Sequence, residues 1–150
     1  MRKLAIAALF LFALAGCATT GHYGNFAQSS NIDHQKLASD AAKQLAMLYP
    51  PAQTRLELKH ATPDAFGVAL VKTLREKGYS LMEFTPASRV SSAPPADSAS
   101  SALPLRYVLD KAGDDNLYRL SLMAGEQSIT RPYLAQNGSF VPAGYWARKE

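Results

Sequence analysis

The chain has 150 residues, 47% of them hydrophobic, with a formal charge of +4 and a single cysteine. That length supports one domain of ordinary size with a tail and leaves no room for a two-domain catalytic cleft. One cysteine excludes an intramolecular disulfide framework and a cysteine-based zinc knuckle, and the basic excess raises nucleic acid as a partner until the charges are located.

Met1-Arg2-Lys3 is followed by Leu4 to Ala13, a run without a polar side-chain atom. Two cations before about ten apolar residues form a secretory signal, because a spanning helix needs about 20. The run ends Leu14-Ala15-Gly16-Cys17, which resembles the lipobox of bacterial lipoproteins. In such a signal the Cys17 thiol receives diacylglycerol, the peptide is cut before Cys17, and the new amine is acylated. The competing reading is a buried free thiol, and it fits poorly at the end of a signal, outside any periodic apolar pattern. Acyl chains worth ~0.8 kcal/mol per buried CH₂ make such an anchor effectively permanent. Ala18 is not aspartate, so the sorting rule for these lipoproteins points to the periplasmic face of the outer membrane. Cleavage discards Arg2 and Lys3, leaving 14 basic against 12 acidic residues, a net +2, and most of the case for nucleic acid goes with them.

Residues 17–31 are small and polar and read as a lipidated flexible tether, interrupted by His22, Tyr23 and Phe26. A coil of that length would hold the domain roughly 20 Å from the bilayer. Leu37, Ala41, Leu45 and Leu48 then recur at three and four, predicting a helix from Asp33 to Tyr49 that Pro50-Pro51 stops. Lys36, Asp40 and Lys43 fall on its polar face. Leu56 and Leu58 alternate with Arg55, Glu57 and Lys59, a half-buried strand. Thr62-Pro63-Asp64 opens a second helix, with threonine as cap, proline at the first position and aspartate against the positive end. Phe66, Leu70 and Leu74 form its stripe to about Lys77, Gly78 terminates it, and a strand follows from Tyr79 to Phe84.

From Thr85 to Ala102, 14 of 18 residues are Ser, Ala or Pro, which predicts a disordered loop. Leu105–Leu109 and Leu117–Met123 flank the turn Lys111–Asn116, and Gln127–Ala135 and Ser139–Trp146 flank Gln136-Asn137-Gly138, giving two hairpins. Pro132 and Pro142 place those last strands at sheet edges or at bulges. The expected fold is α+β: two helices packed on a largely antiparallel sheet of about five to six strands. The expected domain map is a signal peptide over 1–16, the tether over 17–31, and one periplasmic domain over 32–150 containing the loop at 85–102.

Candidate chemistry is sparse. His22, His34 and His60 have no useful ligand spacing and read as solvated residues, so no metal site is expected. No Gly-x-Ser-x-Gly occurs, and the serines from Ser88 to Ser101 lie in the predicted loop, where a nucleophile would not be preorganised. Asp114-Asp115 reads as turn chemistry, as do Gly125, Gly138 and Gly144, and Asn137-Gly138-Ser139 as a turn rather than a sequon. Neither a catalytic residue nor a cofactor is expected beyond the covalent lipid on Cys17. The densest feature is C-terminal: Tyr133, Phe140, Tyr145 and Trp146 beside Arg131, Arg148 and Lys149. These rings either finish the core of the last hairpin or form an aromatic and arginine patch for a protein partner. An edge strand there also offers pairing to a partner strand.

Several stretches together resemble the TrbH family of conjugal-transfer lipoproteins. They are the lipobox, Leu48-Tyr49-Pro50-Pro51-Ala52, Ala61-Thr62-Pro63-Asp64-Ala65-Phe66-Gly67, Leu103-Pro104-Leu105-Arg106-Tyr107-Val108-Leu109, and the ending Phe140-Val141-Pro142-Ala143-Gly144-Tyr145-Trp146. The resemblance implies a non-enzymatic lipoprotein of a conjugative type IV secretion apparatus, serving mating-pair formation. It would anchor and stabilise the outer-membrane core complex through other core subunits, with no direct contact to nucleic acid and no small-molecule substrate. The family carries no established catalytic residues over to this chain. A lipid-anchored periplasmic binding module, holding cell-wall glycan or acting as a pilot for another secretion complex, is the alternative; a hydrolase is a third class.

Overall fold

The structure is a computed structural model that describes residues 22–27, 32–86, 102–113, 116–137 and 139–149. In chain order the elements are β1 (Gly24–Asn25), α1 (His34–Leu48), β2 (Arg55–Leu58), α2 (Ala65–Glu76), β3 (Ser80–Met82), β4 (Leu103–Lys111), β5 (Leu117–Ala124), β6 (Gln127–Gln136), β7 (Ser139–Pro142) and β8 (Ala147–Lys149), with a single 3₁₀ turn at Pro51–Gln53. Cys17 and its lipobox, most of the Ser/Ala/Pro stretch, and Asp114-Asp115 lie outside the described residues.

Both helices begin on aspartate. Asp33 accepts from the Lys36 amide at 2.9 Å and Asp64 from the Gly67 amide at 2.9 Å, so each satisfies a donor that the first turn leaves free. The cap of α2 is thus Asp64 rather than the expected Thr62, and Pro63 precedes the helix instead of starting it. Its end is as the sequence predicts. Gly78 sits at φ 88°, its amide bonds the Arg75 carbonyl, and the Tyr79 amide reaches back to that of Leu74, a Schellman closure. Helix α1 stops where Pro50 and Pro51 remove the next donors, and the Tyr49 amide caps it on the Leu45 carbonyl.

The strands form one eight-stranded sheet in the order β3-β2-β4-β5-β6-β7, with β1 beside β4 and β8 beside β6. Strands β4 to β8 pair antiparallel, but β2 runs parallel to both β3 and β4, and β1 parallel to β4. The sheet is therefore larger than the expected five to six strands and, as expected, largely antiparallel, though not wholly so. The parallel part is the strand–helix–strand unit β2-α2-β3, whose crossover returns the chain to its starting edge.

Alternation divides the sheet into two faces. Leu56, Leu58, Leu105, Tyr107, Leu109, Tyr118, Leu120, Leu122, Ile129, Tyr133 and Phe140 are buried on the face that both helices cover. From α1 come Leu37, Ala38, Ala41, Ala42 and Leu45, the alanines allowing close approach; from α2 come Phe66, Leu70 and Leu74. At about 1.5–3 kcal/mol for each fully buried large apolar side chain, this layer is the main source of stability. The opposite face carries polar pairs: Arg119 on Asp110, and the Ser121 hydroxyl on that of Thr130 at 2.9 Å. No described element covers it.

Two expectations about chain geometry change. The segment read as a tether joins the fold before its expected end, because Gly24 and Asn25 pair with Val108 and Leu109 and Ala27 is buried. Pro132 lies on an inner strand, with β5 on one side and β7 and β8 sharing the other. Its carbonyl accepts from Ala143, so its nitrogen faces the place where β7 has ended and β8 has not begun. The missing N–H therefore interrupts no ladder bond.

Candidate functional site

The C-terminal strands and α1 build one connected polar cluster. Arg131, on the helix-covered face of β6, reaches Asp40 of α1 with Nη1–Oδ2 at 2.8 Å and donates from Nε to the Gly144 carbonyl at 2.8 Å. The Tyr133 hydroxyl donates to the same Asp40 oxygen. The guanidinium also lies 5.8 Å from the Tyr133 ring centre and 5.9 Å from that of Trp146, within cation–π range. The Arg131 and Asp40 side chains are only 18% and 28% exposed, so the pair is partly desolvated and the Tyr133 hydroxyl, as one further donor, helps satisfy the carboxylate. Burial, and next the hydrogen bond to Asp40, push the Tyr133 hydroxyl well above its ordinary pKa, so it stays a donor. The cluster clamps the connection between β7 and β8 onto α1.

This geometry sorts the aromatic segment. Tyr133 and Phe140 are each 1% exposed and belong to the core, Phe140 meeting Tyr118 edge-on at 4.7 Å. Trp146 is partly buried against it. Arg131, Tyr133 and Trp146 come together, but as an internal clamp. Tyr145 alone faces outward, at 94% exposure, on a turn whose backbone Arg131 fixes through Gly144. Asp40, placed by periodicity on the polar face of its helix, is the member that sequence reading misses; its position one residue before buried Ala41 is the available signal.

A second cluster surrounds the start of α2. Tyr107 donates to Asp64 Oδ2, while the other carboxylate oxygen caps the helix. The Tyr107 ring packs edge-on against Phe66 at 4.9 Å and His60 at 4.6 Å, and His60 also meets Tyr23 at 5.9 Å. Both His60 ring nitrogens and His34 Nδ1 are buried without a partner among the described residues. These two histidines are therefore packed rather than solvated as expected; His22 is exposed. Burial lowers the pKa of both, against the opposing charge of Asp64. No group of three or more His, Cys, Asp or Glu residues among the described residues is arranged to hold a metal.

Neither cluster presents a nucleophile with a base, so the comparison with known proteins decides the family. The profile of conjugal transfer protein TrbH matches residues 20–150. The chain belongs to the TrbH family. It is thus a conjugal transfer protein by family, and the match covers every strand and helix of the fold. The TrbH match begins three residues after Cys17 and so does not include the lipobox. No curated protein and no solved structure matches the chain. No helix among the described residues is long and apolar enough to cross a membrane.

Proposed function

We propose that this TrbH-family chain is a non-enzymatic lipoprotein of a conjugative type IV secretion apparatus, held on the periplasmic face of the outer membrane by Cys17 and docked to other core subunits. The observation that carries the reading is the order of parts: Leu14-Ala15-Gly16-Cys17 ends an apolar leader, and the conjugal-transfer match begins at residue 20. Ala18 supports sorting to the outer membrane. The docking surface is centred on Tyr145, whose 94% exposure on a turn clamped by Arg131 suits an aromatic anchor for a partner. Lipid anchoring supplies stability of placement, and tethering raises the local concentration of the domain so that a modest interface suffices.

The experiment is Cys17→Ser in donor cells, read by membrane fractionation, metabolic labelling with palmitate and mating frequency. The expected outcome is loss of the label, loss from the outer-membrane fraction, and transfer reduced by at least about tenfold, the scale of a lost effective-concentration gain. Transfer at the wild-type level with an unlipidated protein would sink the anchoring role.

A further inference from the structure

Strand β7 ends the main path of the sheet, and β6 is its one strand neighbour among the described residues. The Ala143 amide donates to the Pro132 carbonyl at 2.9 Å, so Ser139, Val141 and Ala143 turn their backbone groups toward β6. By alternation Phe140 and Pro142 turn theirs to the open edge. That edge offers the Phe140 N–H and two carbonyls, a short template on which a further strand can pair. Pro142, whose missing donor falls on this side, sets the limit of that template.

A recess of about 240 Å³ lies between this edge and α1. Leu37, Tyr133, Phe140 and Pro142 form its apolar floor and wall, and Lys36 and Lys43 stand on the helix side. The two lysines are seven residues apart, hence two turns along one helical face. Asp40 lies between them, but its carboxylate already accepts from Arg131 and Tyr133 and is matched within the protein. Lys36 reaches only the Ser139 hydroxyl, at 3.4 Å, and neither lysine forms an ion pair among the described residues. The groove therefore combines unpaired backbone groups, an apolar recess and an unneutralised positive rim. A second copy is a poor occupant: pairing β7 with β7 about a twofold axis would set Lys36 and Lys43 near their own equivalents.

We infer that this groove receives an extended acidic segment of another subunit of the transfer apparatus. The segment pairs with β7, places one apolar side chain in the recess and sets carboxylates against Lys36 and Lys43. The inference rests on the proposed role of the chain as an apparatus subunit and names a second contact, separate from Tyr145.

The test is photocrosslinking in donor cells that carry the whole transfer system and the full-length lipoprotein. A benzophenone amino acid replaces Ser39, which lines the recess, or Val68, which is 58% exposed on α2 and serves as control. Adducts are digested and sequenced by mass spectrometry. The expected Ser39 adduct is a segment of a different protein with an apolar residue flanked by Asp or Glu, absent from the Val68 sample. Its yield should fall at least about tenfold in the Lys36→Glu, Lys43→Glu double variant, because reversing rim charges opposes an acidic partner directly. Lys36→Gln with Lys43→Gln should give an intermediate yield, and the thermal midpoint of both purified variants should stay near wild type. Absence of a Ser39 adduct, an adduct to a second copy of the chain, a segment without acidic residues, or a yield indifferent to charge reversal would each overturn the groove assignment. Failure of the underlying role looks different: the adduct would persist in cells lacking the other transfer genes, and Cys17→Ser would leave mating unchanged.

Discussion

A methyl group at position 67 would stand 2.3 Å from the Tyr107 hydroxyl and 2.8 Å from Thr62 Cβ. Alanine is the better helix former by about 1 kcal/mol, yet overpacking of this kind costs about 1–3 kcal/mol. Gly67→Ala should therefore destabilise the domain or gain nothing, measured by urea unfolding. Its cost should shrink in a Tyr107→Phe background, where the obstructing oxygen is gone and only the Thr62 contact stays. Equal costs in both backgrounds would show that the hydroxyl is not the obstacle. The neighbouring histidines add a pH dependence. Burial depresses His60 and His34 below the 6.5 of a free imidazole, Asp64 opposing in both cases and Arg106 assisting at His60. The unfolded chain therefore takes up protons first as pH falls. Their contribution to stability is complete above about pH 6.5 and is lost on acidification below it. The urea midpoint should drop between about pH 7.5 and about pH 5.5, and His60→Phe, which keeps a ring between Tyr23 and Tyr107, should flatten that drop. An unchanged slope in His60→Phe would assign the acid sensitivity elsewhere.

At the level of elements, what the sequence makes legible is what local chemistry decides. Helix α2 shows its stripe of Phe66, Leu70 and Leu74 and its Gly78 stop, and the hairpin β4–β5 shows its alternation, because burial of one face imposes those periods. Strands β1 and β8 lacked such a signal. Strand β1 is two residues long, and all three residues of β8 are exposed, so neither carries an apolar alternation to read. What holds β8 is non-local: Arg131 fixes the approach to it through Gly144 and Trp146, from ninety-one residues beyond Asp40. No window of sequence contains both ends of that pair. Arg131→Met should consequently cost about 1–3 kcal/mol, below the range for a fully buried ion pair because both partners keep some exposure. Amide exchange at Ala147–Lys149 should quicken far more than in β4 and β5. If exchange rose evenly across the sheet, the guanidinium would be a general support and not the clamp of this connection.

For the whole molecule, the proposed function joins two observations that do not overlap, the family match supporting a part in conjugal transfer and the leader supporting the proposed lipid attachment. Their combination makes a quantitative claim about Tyr145. With 94% of its surface in solvent, its removal should leave stability within about 0.5 kcal/mol of wild type. A central aromatic contact is nevertheless worth about 2 kcal/mol or more at an interface, roughly thirtyfold in affinity. Whether mating registers that loss depends on the anchor. A tethered domain meets its partner at an effective concentration of about a millimolar, so a weakened interface can stay largely occupied. The same domain released into the periplasm, by a cleavable secretory signal with Cys17→Ser, has no such reserve. Tyr145→Ala should thus reduce mating modestly in the anchored protein and severely in the released one, with both proteins at equal periplasmic abundance. Equal fractional losses in the two backgrounds would mean that anchoring and docking do not act on one binding equilibrium.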